Sequence, residues 1–369
     1  MVQTDERSGK MKRGFLEYLA EAAEGPRIPH PEDSVFDGID IAQRYVTGLL
    51  EVMQRPQDAS IKWDGGIALY FGRNQQGQFV MTDKYMPSKG VYPTSPEGWI
   101  EYDRSRGADR ADLYQKIATI WSGLEAAVGK TTGLFKGDLM SIGEMTPVNG
   151  QYVFRPTTVE YHIPVNSSLG RLITGKVGVV VVHQFEGKPW DGKSGLANVG
   201  NVAVLPPGAY LSFKLTDVPS LSQVAKSAQT ALATHGANAQ FLLDGLPKVA
   251  RDAIKTYTNK HITKQTTDAI DVWLQNNISN KQYQYLVGDN KDGYLVKNKA
   301  ALASLFAIWN AIYVFKVALV QQLESQIQGF QQFINGQPGG EGFVFPSSVG
   351  LIKLVNRESF GSAHFAKQR

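Results

Sequence analysis

The sequence predicts an α+β fold in which a core of antiparallel strands is interrupted by a large helical insertion. Three observations support this prediction. Strand-like patterns occupy much of residues 59–86 and 133–185, whereas helical spacing of apolar residues dominates residues 218–334. Two short strand patterns then follow the glycine-rich break at residues 335–342. The predicted segments are an N-terminal helical segment (1–58), the first part of the core (59–217), an inserted helical lobe (218–335) and the final core strands with a tail (336–369).

The elements of the first two segments follow from local patterns. Residues 1–58 are predicted to form a helix, the turn "GPRIPHPED" and a second helix, "DIAQRYVTGLLEVMQ", packed on the core. The strand patterns "SIKWDGGIALYFG" and "QFVMTDKYM" are joined by "RNQQG", which suits a hairpin turn. A helix, "RADLYQKIATIWSGLEAAV", precedes the strand patterns "GLFKGDLMSI", "QYVFRPTTVEYHIPV" and "GKVGVVVVHQF".

The inserted lobe contains the most apolar stretch of the chain, Ala301–Val320. It reaches membrane-spanning length, but Asn310 and Lys316 interrupt it, so we expect a buried helix and no membrane association. The last segment supplies the strand patterns "GFVF" and "GLIKLVN".

Composition bounds the chemistry. The 369 residues include no cysteine, which excludes disulfides, thiolate zinc sites and cysteine nucleophiles and is compatible with a cytoplasmic location. Thirty-eight basic against 34 acidic residues give a net charge of +4, which permits a polyanionic partner without requiring one.

The stretch "IKWDGG" places a lysine, Lys62, among apolar residues. Side chains two apart on a strand share a face, so Lys62 and Asp64 would lie together if the strand extends that far. Gly65 and Gly66 would then let the backbone turn or a ligand approach closely. These residues alone also fit an exposed edge lysine near a turn.

Further motifs follow Lys62 in a specific order. They are "SKG" with Lys89, "FKGDLM" with Asp138, "VEYHIPV" with Tyr161, "GEGFVF" with Glu341 and "GLIKLV" with Lys353. In this order the chain resembles the covalent nucleotidyltransferase superfamily of ATP-dependent RNA and DNA ligases and RNA capping enzymes, and phage-type RNA ligases most closely. The resemblance covers Ile61–Val165 and Gly340–Val355. It implies a nucleotidyltransferase core like the ATP-grasp-like adenylation core of ligases, and a phage-encoded protein acting in the host cytoplasm.

The resemblance also implies residue roles. Lys62 would bond covalently to AMP with loss of pyrophosphate, and Lys353 would contact the α-phosphate. Asp64 and Gly65 would bind the nucleotide beside the lysine. Lys89 would contact the ribose or the acceptor phosphate, and Asp138 would contact the ribose. Tyr161 would stack on the purine, and Glu341 would bind the nucleotide through a metal. Glu341 and Asp138 would hold Mg²⁺ or Mn²⁺.

The chemistry is consistent with these roles. Attack on an α-phosphate requires a neutral amine, whereas the ordinary pKa of a lysine is about 10.4. A nearby cation and a dry pocket both favour the neutral form.

One departure concerns the last motif, which in the superfamily has a second lysine two residues after the first. Val355 stands at that position, and Arg357, on the same alternation, is a candidate substitute if the strand continues.

We therefore expect an ATP- and Mg²⁺-dependent polynucleotide ligase with a lysyl-AMP intermediate, acting on RNA in preference to DNA. Lys248, Arg251 and Lys255 share a helical face that could hold nucleic acid or simply be solvated. Two alternatives stay open: a transferase with another acceptor, such as a capping-type guanylyltransferase, and a degenerate, non-catalytic phage protein that binds nucleotides or nucleic acid. Val355 favours the latter.

Overall fold

The computed structural model describes residues 28–190, 192, 195–208, 215, 218–327 and 329–360. Within these residues α-helices combine with antiparallel and mixed sheets, as the predicted mixture of helices and strands requires. The strands are β1 (Ser60–Ile61), β2 (Ile67–Arg73), β3 (Phe79–Thr82), β4 (Gly133–Ile142), β5 (Gln151–Phe154), β6 (Val159–Pro164), β7 (Gly178–Phe185), β8 (Lys188–Pro189), β9 (Val202–Leu205), β10 (Gln331–Ile334), β11 (Gln337–Pro338), β12 (Phe343–Ser347) and β13 (Gly350–Leu354). The α-helices are Ile39–Gln54, Pro96–Ser105, Ala111–Val128, Ser168–Ile173, Pro219–Asp244, Lys248–Ile262, Ile270–Asn277, Asn280–Leu286, Tyr294–Lys297 and Lys299–Glu324.

The chain divides into two compact units. The first contains the described residues of Trp63–Leu211 and Gln328–Pro338, and the second those of Ile28–Lys62, Ser212–Ile327 and Gly339–Arg369. This division differs from the predicted domains, because the closing strands and the segment before Trp63 group with the helices. The first helix predicted in residues 1–58 lies outside the described residues.

The first unit is built on a six-stranded sheet of order β3-β2-β4-β7-β8, in which β9 also pairs with β7. Its pairings are antiparallel except that of β7 with β9. One face of the sheet, including Leu69, Phe135 and Val180, packs with residues of helix Ala111–Val128 into one apolar core. A second sheet of the same unit has the order β11-β10-β6-β5.

The second unit contains a three-stranded antiparallel sheet of order β1-β12-β13. Its long helix Lys299–Glu324 packs against helix Pro219–Asp244. Among the described residues this is the one helix with the length and composition to cross a membrane, and 56% of its most apolar window is buried in the protein. Lys316, which interrupts the apolar stretch of this helix, is fully buried, and its ammonium lies 2.5 Å from the Glu32 carboxylate. This burial is what the sequence predicts for a core helix.

Several predicted elements are confirmed, including the β2–β3 hairpin, helix Ala111–Val128, β4 and the closing β12–β13 pair. Three predictions are wrong. The strand pattern "QYVFRPTTVEYHIPV" is divided into β5 and β6, because residues 155–158 lie in neither strand. The strand pattern "SIKWDGGIALYFG" is interrupted, because residues 62–66 lie in neither β1 nor β2. The helical pattern that extends to Ile334 ends at Glu324 in the structure, because β10 pairs with β6 instead.

Candidate functional site

The β1-β12-β13 sheet carries Lys353 on its less buried face. Lys353 pairs with Val344, and Val344 pairs with Ser60 on the other side, so these side chains share a face. The opposite face, with Ile61 and Leu354, is buried. One side of this short sheet thus supplies core packing and leaves the other available for chemistry.

Lys62 lies directly after β1 and continues its pairing. Its backbone N–H donates to the carbonyl of Gly342 at 2.8 Å, and alternation along the strand turns its side chain to the face of Lys353. The Lys62 ammonium forms an ion pair with the Glu341 carboxylate, and both side chains are largely shielded, at 24% and 13% exposure. The structure therefore brings Lys62, Glu341 and Lys353 together in one unit, although almost 300 residues separate the first from the last.

The position after Glu341 requires a glycine, Gly342. Its φ is +116°, a conformation that side chains other than glycine rarely adopt, and an added Cβ would overlap the carbonyl oxygen of Leu354. The glycine thus lets the chain enter β12 close to β13 while Glu341 stays beside Lys62.

His30 borders the same sheet and was not identified from the sequence. The backbone N–H of Lys353 donates to the carbonyl of Pro29 at 3.1 Å, which fixes residues 29–30 against β13. The Nδ1 atom of His30 is shielded from solvent and has no partner among the described residues. Burial, together with the charges of Arg357, Lys316, Lys353 and Lys62, holds the pKa of His30 well below its usual value, so the imidazole is neutral at pH 7. Nothing in the local sequence "IPHPED" signals this position.

Asp64 and Tyr161 lie in the first unit and support its structure. The Asp64 carboxylate accepts from the backbone N–H of Thr158 at 3.0 Å and from the Thr157 hydroxyl, while its own N–H donates to the Tyr161 hydroxyl at 2.7 Å. Asp64 thus ties the turn between β5 and β6. Tyr161 is fully buried and stacks on Trp63 with ring centroids 4.8 Å apart. A purine would have to displace a protein ring to stack there.

Gly65 allows close packing on Asp138. A Cβ at position 65 would overlap the Cβ of Asp138, so only glycine fits. The Asp138 carboxylate accepts from Nε2 of His183 at 2.9 Å, and each side chain is 23% exposed. Asp138 therefore has an imidazole partner, a pairing that the sequence did not predict.

Two further lysines of the first unit complete the picture. Lys89, the last residue of a short 3₁₀ helix, Pro87–Lys89, is exposed. Lys136 lies on the same face of β4 as Asp138, with its ammonium 5.6 Å from the centre of the Tyr70 ring. Burial lowers the pKa of Lys136 against the opposing effect of Asp138.

Arg357 cannot replace the missing second lysine of the last motif, so that prediction is wrong. The strand β13 ends at Leu354, and Arg357 turns inward, where its guanidinium bonds to Asp33 at 2.5 and 2.9 Å and also to Asn259. Val355 is buried. Neither Val355 nor Arg357 therefore adds a second free cation beside Lys353.

The structure offers limited protein ligands for a metal. The described residues contain no group of three or more histidine and acidic side chains placed to hold an ion. The two predicted ligands belong to different units, and each has a charged or imidazole partner, Lys62 for Glu341 and His183 for Asp138. Mg²⁺ in nucleotide sites uses one or two carboxylates and completes its shell with phosphates and water, so Glu341 fits an ion carried by a nucleotide.

The predicted basic face on helix Lys248–Ile262 is partly engaged in the fold. The Lys248 ammonium is exposed and pairs with Asp252 at 2.7 Å, whereas the Arg251 guanidinium donates to the carbonyl of Phe36 at 3.5 Å. This face therefore carries fewer free cations than the sequence pattern indicates.

Taken with the fold, these contacts define a mixed α/β protein with a paired lysine and glutamate on a small sheet. The profile of a family of unknown function (DUF6267) matches residues 27–369, and the chain belongs to this family. Neither a curated protein nor a solved structure matches the chain significantly.

Proposed function

We propose that this protein is a covalent nucleotidyltransferase that forms a lysyl-AMP intermediate on Lys62 and acts as an ATP-dependent polynucleotide ligase, with RNA as its preferred substrate. One observation carries the proposal. Lys62, Glu341 and Lys353 come from distant parts of the sequence, yet Lys353 lies in one small sheet and Lys62 and Glu341 form an ion pair directly beside it. An edge lysine without function would need neither a shielded carboxylate partner nor a second lysine on its face.

The reaction assigns a task to each of these residues. The Nζ atom of Lys62 attacks the α-phosphorus, a P–N bond forms, the bond from that phosphorus to the bridging oxygen of pyrophosphate breaks, and pyrophosphate leaves. Nζ must lose a proton before it attacks, and the Glu341 carboxylate in the ion pair is placed to accept it. Lys353 supplies positive charge for the phosphoryl group as its charge develops.

A divalent ion would enter with the nucleotide. Glu341 would contact it, and the ion would neutralise phosphate charge. The chain's own contribution is to hold the amine, the proton acceptor and Lys353 within one rigid sheet, which lowers the cost of orienting the reactants.

Label transfer from the nucleotide tests the proposal. The full chain is incubated with Mg²⁺ and α-³²P-labelled ATP or, separately, GTP, and denatured samples are examined for a covalent adduct. We expect an AMP adduct that is lost in Lys62→Ala and Lys62→Arg and retained in Lys281→Ala, which removes an exposed lysine of a helix elsewhere. A GMP adduct would instead favour a capping-type enzyme, and the absence of either adduct would favour a binding protein without catalysis.

The acceptor is tested after the adduct is found. The adenylylated protein is mixed with 5′-phosphorylated RNA or DNA strands, and the transfer of AMP to each strand is followed. Faster transfer to RNA supports the proposed preference, and equal or faster transfer to DNA contradicts it.

A further inference from the structure

The six-stranded sheet carries a histidine, His183, that a β-bulge places beside Asp138. Along β7, Gln184 pairs with Lys136 and Val182 pairs with Gly137, so His183 is the extra residue between two successive pairs. Bulges of this kind redirect a side chain and are frequent next to active sites. Here the redirected imidazole meets the Asp138 carboxylate at 2.9 Å.

This contact fixes the orientation of the imidazole ring. Nε2 of His183 donates to the Asp138 carboxylate, because a carboxylate can only accept, and this bond orients the ring with Nδ1 as its other nitrogen. Within the part of the chain that the structure describes, the His183 ring bonds through Nε2 alone, and its side chain is 23% exposed. The pair is therefore a carboxylate that orients the imidazole of a partly exposed side chain, the arrangement used in general-base catalysis.

A second histidine of the same unit shows that a carboxylate contact alone does not have this consequence. His162 also contacts a carboxylate, that of Glu160 at 2.6 Å, but its other ring nitrogen is bonded to Gln151 at 3.2 Å. Both nitrogens of His162 are thus occupied by the fold. The two histidines form a natural comparison, because their exposure is nearly equal at 23% and 24%.

We infer that His183, oriented by Asp138, is the general base that accepts the proton of an attacking ribose hydroxyl. This inference rests on the proposed function and adds to it the sealing reaction on RNA. In that step the 3′-hydroxyl oxygen of one strand attacks the 5′-phosphorus of an adenylylated strand. A P–O bond forms, the bond from that phosphorus to AMP breaks, AMP leaves, and the hydroxyl proton moves to Nδ1 of His183.

The experiment supplies a chemically prepared 5′-adenylylated RNA and an RNA with a 3′-hydroxyl, so that sealing is measured without lysine adenylylation. We expect the full chain to seal these strands, and His183→Ala and His183→Gln to seal them roughly 10²–10⁴-fold more slowly, the usual range for loss of a general base. The glutamine amide can still donate to Asp138, so His183→Gln controls for folding. His162→Gln is the matched control and should seal at the wild-type rate.

Two readouts separate catalysis from structure. Added imidazole should restore sealing by His183→Ala and leave His183→Gln, whose side chain fills the site, unrestored. Adduct formation from ATP should stay within about twofold of wild type in both variants, a difference that corresponds to well under 1 kcal/mol. Unchanged sealing in His183→Gln, equal loss of adduct formation and sealing, or no sealing by the wild-type chain would each overturn the inference.

The outcomes also distinguish this inference from the proposed function. An adduct on Lys62 without sealing of adenylylated RNA would leave the proposed nucleotidyl transfer standing and refute the role of His183. Sealing that depends on His183 in a chain that forms no adduct would refute the role of Lys62 instead.

Discussion

The buried pair of Lys316 and Glu32 gives the sharpest test of how the second unit is stabilised. Both side chains are fully buried, and their charged atoms are 2.5 Å apart. The same Glu32 oxygen lies 3.4 Å from the Arg357 guanidinium, and the other has no partner among the described residues. Removing one member of a buried pair costs about 3–5 kcal/mol, because the remaining charge stays buried without its counter-ion. We expect Lys316→Met to fall near the lower end, since Arg357 remains.

The double variant Lys316→Met/Glu32→Leu isolates the coupling between the two residues. We expect the double variant to be more stable than Lys316→Met alone, because it no longer contains the Glu32 carboxylate that Lys316→Met leaves without its lysine. We expect the coupling free energy to be at least about 2 kcal/mol. The assay is urea unfolding at pH 7, followed by circular dichroism for the wild type, both single variants and the double variant. Single-variant losses that add within about 0.5 kcal/mol would refute the reasoning.

The pH dependence gives an independent test of the same pair. Burial lowers the pKa of Lys316 from its ordinary value to about 8, despite the nearby carboxylate of Glu32. Between about pH 8 and the unfolded-state pKa near 10.4, the unfolded chain binds more protons at this residue, so this contribution to stability rises with pH. The free energy of unfolding of the wild type, minus that of Lys316→Met, should therefore increase by roughly 2–3 kcal/mol from pH 7 to pH 10. A difference that is constant or falls with pH would contradict the assignment.

Three other predictions concern the lysine sheet and its surroundings. Gly342→Ala should destabilise the protein by at least about 2 kcal/mol more than Gly350→Ala, as urea unfolding would measure. Both glycines have positive φ, but of these two positions only 342 lacks space for a Cβ. Lys353→Met should keep the melting temperature within a few degrees and slow adduct formation by about 10²-fold or more, as single-turnover labelling would show. Asp64→Asn should cost about 1–3 kcal/mol of stability, since an amide is a poorer acceptor for two donors, and retain the adduct. Loss of the adduct at unchanged stability would restore a catalytic role for Asp64.

The elements that the sequence predicts well are those with strong local signals. The strand β4 matches its pattern from Gly133 to Ile142, and Gly77 marks the turn before β3. The strand β10 was missed because its four residues follow a glutamine-rich helix, and their pairing with β6 connects residues about 170 positions apart. Short strands are specified by their partners more than by their own residues.

The candidate site was predictable to the extent that its motifs are contiguous. The order of the motifs led to Lys62, Glu341 and Lys353, and the structure places them together. The partners of other predicted residues were not predictable, because they depend on distant contacts. His183 meets Asp138 only through a bulge, a feature without a local sequence signal.

The buried charges and the lysine sheet are physically connected within the second unit. Glu32 and Asp33 lie in a short 3₁₀ helix, Pro31–Phe36, and their bonds to Lys316 and Arg357 fix that helix from within. The backbone N–H of Lys353 donates to the carbonyl of Pro29, two residues before this helix begins. A segment held at one end by buried ion pairs and at the other by the edge of β13 cannot shift without moving Lys353 or exposing charge. The buried network therefore serves the site by fixing the edge of the sheet beside which the proposed chemistry takes place.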